Sequence, residues 1–178
     1  MALTETHKGY HEKMTAAPGE DLSPALALVN TRHRDGDDLP SWLADQTLAD
    51  SEHDRFQRLR EVVRELFLAR TESRQPAPSA LSELDDVLRV APGTPALTWA
   101  EPPHREWRWL GGTKAERTAA AIAADAIDVL TARGEALAQC PAPGCVKLLL
   151  RTHRRRHWCS TRCGDRVRAD RHYHRQRP

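Results

Sequence analysis

Apolar residues return along most of this chain at intervals of three and four, the spacing of one helix face, and only one interval alternates with the period of a strand. The clearest helical stretch begins at Ser51. There Phe56, Leu59, Val62, Val63, Leu66 and Ala69 line one side while Arg and Glu fill the other, which predicts an amphipathic core helix. Upstream, Ser23 is a suitable N-cap and Pro24 fits a first helical position, so a helix carrying Leu26 and Val29 starts there, until Asp35, Gly36, Asp37 and Asp38 break it. A short helix after Pro40 presents Trp42, Leu43 and Leu48. Beyond the Pro-rich break at 75–78, Leu81, Leu84, Val87 and Leu88 fit one face of a helix over 79–90, which Pro92, Gly93 and Pro95 end. Thr113 and Glu116 form a capping-box pattern before an Ala-rich helix running to about Arg133, with Ile122, Ala126, Val129 and Leu130 as its buried stripe. The period-2 interval holds Leu97 and Trp99, then Trp107 and Trp109, on either side of Pro102 and Pro103. It predicts two short paired strands whose aromatic face belongs to the core rather than to a ligand pocket.

The fold class is therefore mainly α with a short β-hairpin. Residues 1–20 lack periodicity and read as a flexible tail, 21–137 as a helical sensor or interaction domain that folds alone, and 138–178 as a small appended module. With 39% hydrophobic and 29% charged residues the chain suits a soluble globular protein. No apolar run reaches membrane-spanning length, and the first twenty residues lack the apolar core of an export signal, so a cytoplasmic, nucleoid-associated location is expected. The net charge of +2 hides a strong asymmetry: residues 140–178 hold eleven Lys or Arg against Asp165 and Asp170, a charge of +9, while 1–139 carry −7. Arg outnumbers Lys 23 to 4 throughout, so the clustering and not the choice of Arg carries the information.

All four cysteines fall within 24 consecutive positions, as Cys140-x4-Cys145 and Cys159-x3-Cys163 with thirteen residues between the pairs. Two closely spaced pairs can fold around opposite sides of a tetrahedral zinc ion, and Pro141, Pro143 and Gly144 favour a tight knuckle in the first. Ser160 can cap a helix that places Cys163 in its first turn, where the helix amino end favours a thiolate, giving a zinc-ribbon or treble-clef-like module. Two disulfides fit poorly with a chain lacking an export signal, and four free thiols fit poorly with the clustering. His153 and His157 could replace a cysteine, but four thiolates already complete the set and leave no open position for a catalytic water, so one structural Zn2+ is expected.

The run Trp158-Cys-Ser-Thr-Arg-Cys-Gly-Asp-Arg166, followed by a basic helix, resembles the CGNR zinc fingers, with Asp165 where the family name has Asn. Leu26-Ala-Leu-Val-Asn-Thr31 resembles the opening of the ABATE domain that precedes that finger. The family is assigned to stress-induced transcription regulation in bacteria, so the resemblance implies a DNA-binding regulator.

On a helix continuing past Cys163, Arg168, Arg171, His172 and Arg175 share one stripe while Arg162, Arg166, Tyr173 and Arg177 share another. Such a helix could lie in a groove of double-stranded DNA, with Arg154, Arg155 and Arg156 adding phosphate contacts. The plainer alternative is a solvated charged tail. Two further readings are single-stranded RNA or DNA binding, with Trp158, Tyr173 and the histidines stacking on bases, and a zinc-stapled adaptor for an acidic protein such as a transcription-machinery subunit. Asn30, Arg32 and His33, after the first helix, could bind a small-molecule effector or simply form a cap and loop. No Ser/His/Asp set, phosphate-cradling Gly loop or carboxylate pair has catalytic spacing, so no enzyme activity is expected; the sequence leaves the oligomeric state open.

Overall fold

The structure, a computed structural model, describes residues 16–151 and 157–175. Its body is built on α3 (His53–Thr71), preceded by α1 (Pro24–Val29), a two-residue strand pair β1 (Arg32–His33) and β2 (Gly36–Asp37), α2 (Leu39–Asp45) and one 3-10 turn (Asp50–Glu52). After it come α4 (Pro78–Val90), the antiparallel pair β3 (Gly93–Thr98) and β4 (His104–Trp109), α5 (Lys114–Ala132), a second antiparallel pair β5 (Leu137–Gln139) and β6 (Leu148–Leu150), and α6 (Thr161–Arg175). Phe56, Leu59, Val63 and Phe67 of α3 are almost wholly buried; α1, α4 and α5 pack against α3, and α5 also against α1 and α4. Mainly helical architecture and the β3–β4 pair are what the periodicity predicts; the β1–β2 and β5–β6 pairs are additional.

Local chemistry fixes the helix starts. The Ser23 hydroxyl accepts from the Leu26 amide at 3.1 Å and donates to Asp125 of α5 at 2.5 Å, while the same carboxylate takes the Ala25 amide at 3.0 Å. The amino end of α1 is thereby capped from within its own turn and from a neighbouring helix. At α5 the capping box of Thr113 and Glu116 forms as predicted. The segment that breaks α1 is itself ordered: Arg60 of α3, 2% exposed, grips both Asp37 carboxylate oxygens at 2.6 and 2.7 Å and the Thr31 hydroxyl at 2.9 Å.

Three expectations are corrected. Residues 17–20, assigned to the flexible tail, are packed, with Ala17 only 2% exposed; most of that tail lies outside the described residues. Leu81 faces solvent, because the stripe that α4 turns inward is Ala80 and Leu84 with Val87 and Leu88 half-buried. The β3–β4 pair forms as expected but is not core: Trp99 is 84% exposed, and Trp107 and Trp109 stack on each other at 5.8 Å as half-buried residues.

The β5–β6 hairpin joins the helical body to the cysteine module. Strand alternation sends Leu137, Leu148 and Leu150 into the helical core and Ala138 and Leu149 into a second, smaller core around the cysteines. Cys140 and Arg151 complete the ladder on the paired edge of β6, leaving Leu148 and Leu150 to bond outward. Asn30 supplies both partners for Leu148: its side-chain oxygen accepts from the amide at 2.9 Å and its nitrogen donates to the carbonyl at 2.8 Å. The Pro18 carbonyl takes the Leu150 amide at 2.8 Å. A strand edge that would be costly to bury is thus satisfied. One hairpin serves two cores, so the assigned boundary at 137 cuts through packing shared by both units.

Candidate metal centre and nucleic-acid interface

Each cysteine is delivered by a distinct backbone device. Cys140 leaves β5, with its amide held by the Lys147 carbonyl at 2.9 Å. Cys145 closes a turn through the Ala142 carbonyl at 2.9 Å, and Gly144 occupies the left-handed region with φ +69° that this knuckle requires. Ser160 accepts from the Cys163 amide at 3.2 Å, starting α6 with Cys163 in its first turn as expected. Its neighbour Cys159 points its own amide at the Cys140 sulfur, 3.5 Å away. Three of the four cysteines are buried.

All four sulfurs lie within 4.8 Å of one another, and three of the separations are 3.4, 3.7 and 3.8 Å. Sulfurs at ~2.3 Å from a tetrahedral zinc stand roughly 3.8 Å apart, so the set fits the ion with little adjustment. The electrostatics ask for the same cation. As a donor to Cys140, the Cys145 thiol is pushed up to about 11; Cys159 is pushed up by donating to Cys140 and Cys145. Cys140, which accepts from Cys145 and Cys159, is pulled down to about 2. Four thiols this close cannot all ionise without a counter-charge, and a divalent cation at their centre supplies it. No position remains for a catalytic water, and His157, exposed and edge-on to Trp158 at 6.0 Å, takes no part. The centre holds one structural zinc ion.

The residues after Cys163 serve this centre as well as the surface. Arg166 donates from Nη2 to the Cys163 sulfur at 3.2 Å, and its Nε is buried without a partner among the described residues. Arg166, placed among the nucleic-acid contacts from the sequence, is half-buried and turns this donor to the metal centre. At Gly164 an added Cβ would lie 3.2 Å from the Trp158 ring, a tight contact to which the ring would have to yield. Arg168 lies over that ring at 5.8 Å and pairs with Asp165, so this acidic side chain orients an arginine. Val167, 8% exposed, completes the inner face of α6.

Of the remaining predicted contacts, Arg162 and Arg171 are exposed on α6 and make no ion pair among the described residues. The helix runs through Arg175; Arg154, Arg155 and Arg156 lie outside the described residues. Each of the three effector candidates has partners of its own. Asn30 is 3% exposed and spent on Leu148 and Glu20, Arg32 pairs with Glu61 at 3.5 Å, and His33 sits 3.3 Å from Asp38. Sequence reasoning missed two contacts that hold the finger: Arg64 of α3 donates to the Val146 carbonyl at 2.9 Å, and Ala17 packs in the cysteine core. Neither leaves a local signal, because each partner is remote in the chain.

Two family profiles match consecutive parts of the chain. ABATE, described as "Putative stress-induced transcription regulator", matches residues 22–133, and the CGNR zinc finger matches residues 137–176. No curated protein matches the chain. No helix among the described residues is long and apolar enough to cross a membrane. The ABATE match alone spans more than half of the chain, which therefore belongs to the ABATE family and carries a CGNR zinc finger at residues 137–176.

Proposed function

We propose that this regulator binds double-stranded DNA through the outer face of α6, as a nucleoid-associated, non-enzymatic protein. The observation that carries the reading is the division of labour on that helix. Cys163 and Val167 fix its inner face to the zinc core and Arg166 is spent on a thiolate, while Arg162 and Arg171 stay exposed and unpaired among the described residues. A helix anchored along one side and cationic along the other can lie against a phosphate-lined groove without rearranging. The +9 charge of residues 140–178, set against −7 in the remainder, orients the encounter so that the finger and not the body meets the polyanion. Arg168, exposed, lying over Trp158 and paired with Asp165, adds a cation beside that face, and in this reading it is the candidate for a base contact.

The zinc has a full set of thiolate ligands, so its part is structural and the protein acts by binding. Competition on the zinc-loaded full chain tests the reading: a labelled duplex should be displaced by unlabelled duplex at concentrations where single-stranded DNA and RNA of equal length displace little. Preferential displacement by single strands contradicts it, and so does capture of an acidic protein that survives nuclease treatment while duplex fails to bind.

A further inference from the structure

We propose that the cleft between α1, α2 and the start of α5 is an effector site for a small planar aromatic carboxylate. It encloses about 760 Å³, within the ~300–1,000 Å³ usual for small-molecule sites. Trp42 and Trp109 form its walls, with Ala27, Ala121 and Ile122 leaving room between them. Each tryptophan packs against a second ring that does not itself line the cleft, Trp42 against Phe56 at 5.6 Å and Trp109 against Trp107 at 5.8 Å. The walls are therefore set before a ligand arrives, which favours a flat aromatic occupant.

The rim decides the charge. Lys114 and Arg117 stand on the α5 side; a backbone carbonyl steadies each, Thr47 for Lys114 at 3.0 Å and Gly111 for the Arg117 Nε at 2.9 Å. The terminal guanidinium nitrogens of Arg117 remain available among the described residues for a forked bond to a carboxylate. Opposite them, Glu20 is already engaged by Asn30 at 2.7 Å and Lys147 at 3.8 Å, and burial pushes its carboxyl up. Among the described residues, Asp21 is then the one uncommitted acid lining the cleft against two cations.

Glu20 also gives the site a route to the finger. It lines the cleft and binds Asn30, which holds both polar groups of Leu148 in the hairpin that carries Cys140. An occupant that shifts Glu20 thereby acts on the strand bearing the zinc module. The binding step is independent of whether the finger contacts DNA.

Calorimetry on the full zinc-loaded chain with indole-3-acetate, indole and tryptamine, which share a ring and differ in charge, tests the site. Indole-3-acetate should bind at least about tenfold more tightly than tryptamine, the difference one charge-assisted contact supplies. Arg117→Gln should remove that preference while leaving indole unchanged. Ala121→Leu, a good helix former at a half-buried position, should abolish binding of all three with the far-UV circular dichroism intact. Equal affinity for tryptamine, an undiminished preference for indole-3-acetate in Arg117→Gln, undiminished binding by Ala121→Leu, or no heat with any of the three at millimolar concentration overturns the proposal.

Discussion

At Asn30 one side chain satisfies the amide and the carbonyl of a residue 118 positions away. Asn30→Ala leaves both groups buried and unpaired, so urea denaturation should show a loss of about 2 to 4 kcal/mol. A loss below that range would mean that water or Glu20 replaces the amide. Arg166 makes a comparable claim on the zinc site. Arg166→Ala should weaken zinc retention by about 10- to 100-fold in competition with a chromophoric chelator, and Arg166→Lys should recover part of that. Equal retention by all three would return Arg166 to the surface. Asp37 supplies a pH test: the Arg60 guanidinium bonded to it holds its carboxyl below the ordinary 3.8. Its stabilisation is fully present above that value and is lost as pH falls through the lower folded value. Asp37→Asn should flatten that part of the acid-unfolding profile; an unchanged profile would assign acid sensitivity elsewhere. These residues also mark the limit of sequence reading. Ser160 and the four cysteines are legible because cap and ligand chemistry is local. Asn30 reads as a loop residue and Arg166 as one more helix cation because their partners are brought in by folding.

At the scale of elements, α3 and α5 are legible from periodicity alone, since an apolar stripe sustained over about five turns fits a helix and no strand. The β3–β4 pairing is legible too, but not its exposure, because alternation shows that two faces differ and not which one meets the body. The β5–β6 hairpin is hidden. Its strands are too short and too uniformly apolar to declare a period, and only Leu148-Leu-Leu150, an apolar run inside a basic segment, hints at burial there. A chain ending at Gln139 therefore should not fold like the intact body. It loses the burial of Leu148 and Leu150, about 1.5 to 3 kcal/mol each, and strands the Asn30 amide. Thermal melting should be broadened or lowered by many degrees, whereas an unchanged cooperative transition would show that the helical core closes without β6. Removal of zinc from the full chain is the complementary case. Coordination supplies on the order of 10 kcal/mol to modules of this kind, so a strong chelator should abolish the protection of α6 amides from hydrogen exchange while α3 stays protected.

The whole molecule is polarised: a helical body with an excess of acids carries a zinc-stapled cationic helix at one end. That charge pattern and the four-cysteine spacing are both visible in the sequence, and the ABATE and CGNR matches agree with them. What the sequence could not supply is the sorting of arginines, with Arg60 and Arg64 spent inside the body, Arg166 on a sulfur, and Arg162 and Arg171 left for a partner. The most direct measurement is the salt dependence of duplex affinity for the zinc-loaded full chain and for Arg162→Ala and Arg171→Ala. Roughly six phosphate contacts give a log–log slope near about −5, and removing an arginine that meets a phosphate should reduce the slope by about 1. Absence of duplex affinity at low salt, or a slope that neither substitution alters, would contradict the account by showing that the outer face of α6 does not meet DNA.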